Sequence, residues 1–185
     1  MNPEINTQLP RDQIFEAFLE RQHQEGMALA AASDILKMMP MNGHRSDRYI
    51  AEFHCRGLVQ DDVGEVAEFN RFAVGIWFPE DYLRRLDMSL IVTYLGPAPR
   101  PWHPNIRPPF ICTHITPGTP LVDILYNCYE LFTWRLKNTG DEGLNHAASQ
   151  WARHQDTSWF PIDRRPLRRL KLRLEVTSAT PEERK

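Results

Sequence analysis

Residues 103–114 read His-Pro-Asn-Ile-Arg-Pro-Pro-Phe-Ile-Cys-Thr-His, which puts one thiol, two imidazoles and one carboxamide within a dozen positions. A thiolate is both a strong nucleophile and a good leaving group, so Cys112 suits an acyl relay that a serine would stall as a stable ester. The thiol of such a relay must be reachable from solvent, and a loop position supplies that. A preorganised amide such as Asn105 could stabilise the oxyanion of the tetrahedral intermediate by about 3–4 kcal/mol. If residues 111–115 are extended, Cys112 and His114 lie on one side, and the pair could lower the thiol pKa or act as a protease-like dyad. A zinc site from His103, Cys112, His114 and Cys128 has the residue types but no paired ligand spacing, so no metal is expected. A cysteine-phosphatase loop needs arginine six residues after the cysteine, where Gly118 stands.

Each of these residues also has a structural reading. Free cysteine is usually a buried small apolar residue. That reading fits Cys55, which alternates with Tyr49 and Phe53, and Cys128, which lies on an apolar helical stripe. His103 reads as a structural histidine before a catalytic one. Asn105 is either a turn former or an oxyanion donor. Asp141 and Glu142 read as solvated charges near a helix start, where they favour the dipole.

The elements around these residues follow from period and punctuation. Ile14, Phe15, Phe18 and Leu19 recur at helical spacing, which predicts an opening helix over 11–32. A short strand, "ILKMMP", should close at the turn dipeptide Asn42-Gly43. The period then becomes two in "YIAEFHC", in "FAVGIWF" and in a third run from Met88 to Gly96. Successive strands joined by short loops imply an antiparallel meander. Residues 97–109 hold six prolines, a density that allows neither a helix nor a central strand. Thr119-Pro120 resembles an N-cap with proline at the first helical position. Leu121, Ile124, Leu125, Cys128, Leu131 and Phe132 form the apolar stripe of the helix behind it. A shorter helix is expected over "LNHAASQWARH". Leu170, Leu172, Leu174 and Val176 alternate with charges as in a strand. The order predicts an α+β fold, a single domain over 1–176 and a flexible tail over 177–185.

The totals exclude other classes. The 185 residues suit one domain, and a net charge of −2 does not suit a nucleic-acid binder that works by phosphate attraction. No apolar run reaches the roughly 20 residues of a membrane span. The opening "MNPEINTQLPRDQ" has no basic-then-apolar leader, and three cysteines suit a reducing compartment, so a cytoplasmic location is expected.

Five stretches in order resemble the ubiquitin-conjugating enzyme family, over about residues 11–155. They are "FAVGIWFPEDY", "HPNI" at 103–106, "IC" at 111–112, "TPLVDIL" and "DEGLNHAA" at 141–148. The resemblance implies that family's fold: an N-terminal helix, a four-stranded antiparallel meander, a proline-rich active-site loop and C-terminal helices. It implies that Cys112 accepts the C-terminal glycine of a ubiquitin-like protein from an activating enzyme, as a thioester, and passes it to an amine of a target. It assigns oxyanion or loop-ordering duty to Asn105, shaping of the turn to His103 and Pro104, and assistance to the lysine to Glu142 or Asp141. No cofactor is implied, because ATP is consumed upstream. Thr113-His114 after the cysteine and the basic tail depart from the usual pattern and resemble the bacterial relatives of antiphage defence systems. Two rivals stand beside this reading. One is a non-catalytic binding module of the same fold, with Cys112 buried. The other is a thiol hydrolase using Cys112 and His114.

Overall fold

The structure is a computed structural model describing residues 12–41, 46–96, 99–137 and 143–169. Helix α1 spans Gln13–Ala31. Asp12 caps it, its carboxylate accepting the N–H groups of Ile14 (3.1 Å) and Phe15 (3.2 Å). The Arg84 guanidinium donates to the other oxygen at 2.7 Å. Phe15, Leu19, Gln22, Gly26 and Leu29 are buried along one face, as the helical spacing predicts.

Strands β1 (Leu36–Pro40) and β2 (Arg48–Phe53) pair antiparallel, so Met38 lies opposite Ala51. The chain then leaves the sheet. β3 (Gly57–Gln60) and β4 (Val66–Phe69) form a hairpin of their own before β5 (Phe72–Trp77) returns to pair with β2. The departure needs glycine at position 57, because a Cβ there would sit 2.3 Å from the Phe132 carbonyl and 2.8 Å from the Phe72 ring.

Helical turn α2 (Met88–Ile91) precedes β6 (Val92–Gly96), which corrects the reading of Met88–Gly96 as one strand. Asp87 decides the difference: its carboxylate accepts the N–H of Ser89 at 3.1 Å and its hydroxyl at 2.6 Å, which starts a turn of helix. The proline-rich segment carries three two-residue strands, β7 (Arg100–Pro101), β8 (Ile106–Arg107) and β9 (Phe110–Ile111). The main sheet runs β1-β2-β5-β6-β9-β8, and the second runs β4-β3-β7. The expected meander is therefore present as β1-β2-β5-β6, interrupted by the β3–β4 hairpin and extended by β9 and β8.

Helix α3 (Leu121–Phe132) lays its apolar stripe over the sheet. Phe132 stacks on Phe72 with ring centroids 4.7 Å apart and meets Phe53 at 5.5 Å. Thr119 does not cap this helix: its hydroxyl donates to the Thr116 carbonyl at 2.8 Å. The Leu121 N–H is instead accepted by the buried Gln22 carboxamide of α1 at 2.7 Å. At its other end α3 stops with Trp134 in the left-handed region (φ 61°) and the Arg135 N–H returning to the Glu130 carbonyl at 2.8 Å. A bulky residue there carries backbone strain. The return drives Trp134 into a second apolar cluster with Leu58, Trp102, Ala148, Ala152 and Ile162.

Helix α4 (His146–Arg153) begins at Asn145, whose side chain accepts the Ala148 N–H at 3.1 Å. After it, Asp163 (1 % exposed) holds the Arg56 N–H at 2.9 Å and the Arg165 guanidinium at 2.6 Å. Arg165 in turn donates to the His54 carbonyl at 2.9 Å. This latch ties the segment after α4 to the corner between β2 and β3. The expected Asn42-Gly43 turn, the strand over 170–176 and the tail over 177–185 lie outside the described residues.

Candidate active site around Cys112

The three cysteines divide by burial. Cys55 and Cys128 are fully buried, and Cys112 is exposed. Burial pushes the Cys55 and Cys128 thiols up to about 12, so neither offers a thiolate near neutral pH. Both face the core, as alternation and the helical stripe predict.

Cys112 follows β9 directly. Its N–H donates to the Asn105 carbonyl at 2.8 Å, which continues the β8–β9 ladder by one step past the Ile106–Ile111 pair. Beyond it the chain alternates: Thr113 and Ile115 are buried, while Cys112 and His114 are exposed. The two functional candidates thus share a side, as extended backbone requires. No hydrogen bond joins the Cys112 thiol to the His114 ring. The His114 carbonyl accepts from the Asn127 side chain at 3.4 Å, which fastens this stretch to α3.

The turn facing Cys112 is built from the inside. His103 is 1 % exposed. Its Nδ1 accepts the Asn105 N–H at 3.0 Å, so its Nε2 carries the proton and donates to the Leu136 carbonyl at 2.9 Å. Trp134 stands edge-on to the ring at 4.7 Å. Burial lowers the His103 pKa to about 3, although the Leu136 bond opposes the shift. At neutral pH His103 is therefore an uncharged structural group with both nitrogens committed, in keeping with the structural reading. Asn105 is 8 % exposed, with its main chain fixed by His103 on one side and Cys112 on the other.

Pro104 closes the other flank: its carbonyl accepts the Asn145 N–H at 2.9 Å. A Cβ on Gly143 would lie 3.0 Å from that same carbonyl and 3.0 Å from the Ser149 hydroxyl. The start of α4 is therefore pressed against the His103-Pro104-Asn105 turn. Asp141 and Glu142 lie outside the described residues, immediately before this docked segment. The stretch after Cys112 is anchored too. Thr116 and Thr119 bond to each other around Gly118 (φ 81°), and the buried Tyr82 hydroxyl donates to the Thr119 carbonyl at 2.8 Å.

The structure thus brings His103, Pro104, Asn105 and Cys112 together as one unit, with His114 exposed on the same side of the chain as the thiol. Asn145, Leu136, Trp134 and Tyr82 support this unit, and residue types and spacing alone do not single them out. Asn145 carries a readable signal, as an asparagine placed just before an apolar-periodic run. The Leu136 carbonyl carries none, because a main-chain acceptor leaves no trace in residue type. Among the described residues no group of three or more metal-ligating side chains converges. No helix of the described residues is long and apolar enough to cross a membrane.

Compared with protein-family models and with curated proteins, the sequence matches none.

Proposed function

We propose that this chain carries a ubiquitin-like protein as a thioester on Cys112 and transfers it to an amine of a target protein. One observation carries the reading. Of three cysteines, the exposed one is the one clamped by its main chain to a rigid His-Pro-Asn turn. In the first step the Cys112 thiolate attacks the carbonyl carbon of a thioester on an activating enzyme. A new C–S bond forms, the old one breaks, and the activating enzyme's thiol leaves with the proton. In the second step a deprotonated amine attacks the Cys112 thioester, an amide forms and the Cys112 thiol is released. A lysine has an ordinary pKa of about 10.4, so a base must take its proton. Asp141 or Glu142 is proposed for that role, and the Asn105 carboxamide for the oxyanion.

Exposure of Cys112 weighs against a non-catalytic module, which would bury the sulfur. The missing Cys112–His114 hydrogen bond gives the hydrolase dyad no support. The test mixes the chain with an activating enzyme, ATP and its ubiquitin-like protein, followed by a non-reducing gel. The expected result is a thiol-sensitive adduct that vanishes in Cys112→Ala and becomes a thiol-resistant ester in Cys112→Ser. No adduct from active partners overturns the proposal.

A further inference from the structure

A cavity of about 250 Å³ adjoins the turn that faces Cys112. Its walls include Gln60, Arg100, Trp102, Arg107, Asn145 and His146. Arg100 and Arg107 are exposed, and neither has an ion-pair partner among the described residues. Trp102 is 6 % exposed and its indole N–H has no acceptor among the described residues. Asn145 and His146 set the N-terminal end of α4 in the same wall, where the helix dipole favours negative charge. Among the described residues no carboxylate lines this cavity. Two guanidinium forks beside the start of a helix make a cationic concavity of the size of one acidic side chain and its immediate neighbours.

Its position gives the charge a use. Arg107 lies in β8, paired with Phe110 of β9, two residues before the sulfur. Ile106 of the same wall follows Asn105, whose carbonyl holds the Cys112 N–H. Asn145 bonds to Pro104. A chain segment seated in the cavity is therefore registered against the turn that fixes Cys112.

We propose that this cavity binds a carboxylate side chain of the protein that accepts the acyl group, so that the preferred acceptor amine lies near an aspartate or glutamate. The inference deepens the proposed function and rests on it for the word acceptor, while the carboxylate site itself is tested without any transfer reaction. The full chain alone is titrated into a fluorescent peptide holding one lysine flanked by glutamates, with anisotropy as the readout. Parallel arms use the same peptide with glutamines, and with phosphoserines, in place of the glutamates. The glutamate peptide is expected to bind, and to weaken about tenfold in Arg107→Gln or Arg100→Gln. The glutamine peptide is expected to bind at least as weakly in every variant. Both variants change exposed side chains, and unchanged thermal unfolding confirms their fold. Equal binding of the glutamate and glutamine peptides, or binding indifferent to both arginines, overturns the inference. Binding by the phosphoserine peptide alone also overturns it, in favour of a phosphate site. If the native chain forms no thioester yet binds the glutamate peptide through the arginines, the transfer reading falls and the carboxylate site stands. If it forms the thioester but shows no glutamate-dependent binding, the carboxylate site falls and the transfer reading stands.

Discussion

The main-chain N–H of Cys112 donates to the main-chain carbonyl of Asn105 at 2.8 Å, so the exposed sulfur and the candidate oxyanion donor face each other on one rung of a two-stranded ladder. Their spacing depends on backbone pairing rather than on side-chain rotamers. The thiol can thus be exposed without being loosely placed.

Exposure predicts selective alkylation. Under native conditions iodoacetamide should modify Cys112 alone, because Cys55 and Cys128 are buried and their thiols are pushed up to about 12. Peptide mass mapping before and after denaturation reads the result. Native modification of Cys128, or protection of Cys112, contradicts the placement of the sulfurs.

Acid should weaken the fold through His103 before it reaches the carboxylates. The folded pKa of His103 is lowered to about 3, below the ordinary value of 6.5, so the unfolded chain binds the extra proton between these limits. The neutral ring contributes stability that is complete above pH about 6.5 and is lost as pH falls toward 3, with a slope approaching 1.4 kcal/mol per pH unit. Asp163 adds a second loss at lower pH. Burial alone would raise its pKa, but the Arg165 guanidinium and the Arg56 and Arg165 amides override it and hold it at about 2. Urea unfolding at a series of pH values should show stability declining from near pH 6, with the early part of the decline absent in His103→Gln. A flat profile from pH 7 to 4 in the native chain would contradict the buried neutral ring.

The cap on α3 comes from another helix, so its removal should cost stability without touching the thiol. Gln22→Leu removes the acceptor of the Leu121 N–H and leaves that donor buried, a loss of about 1–3 kcal/mol. For a chain of this size that corresponds to a fall in Tm of about 2–4 °C per kcal/mol. Calorimetry measures it, and native alkylation of Cys112 should proceed at its former rate.

Gly57→Ala is predicted to be the most damaging single methyl. The added carbon would meet the Phe132 carbonyl and the Phe72 ring at 2.3 and 2.8 Å, and neither can retreat from the core. A loss of about 3 kcal/mol or more is expected, read as a lowered urea midpoint or a failure to accumulate as folded protein.

The parts of the fold legible in sequence are those set by local period. Tyr49, Ala51 and Phe53 alternate inward, and Leu121 to Phe132 stripe one helix face, as their spacing requires. The burial of Cys55 and Cys128 follows from the same patterns, while the exposure of Cys112 follows from its place at the end of the proline-rich loop. What escapes is decided by partners distant along the chain or by main-chain atoms. Gln22 caps a helix 99 positions away, displacing the locally attractive Thr119. The β3–β4 hairpin rests on Gly57 passing between Phe132 and Phe72, a contact no window of residues displays. Trp134 looks like one more apolar residue in sequence. Only the left-handed turn after α3 brings it against His103.

The in-and-out alternation of Ile111, Cys112, Thr113, His114 and Ile115 makes the length of the preceding loop a matter of parity. Adding or removing one residue between Ile106 and Cys112, with the ladder positions opposite β8 held in place, would shift the following side chains by one, turn the sulfur inward and bring Thr113 to the surface. Adding or removing two would restore the sulfur's outlook. Loop-length variants of this chain should therefore alternate between reactive and inert thiols, odd against even.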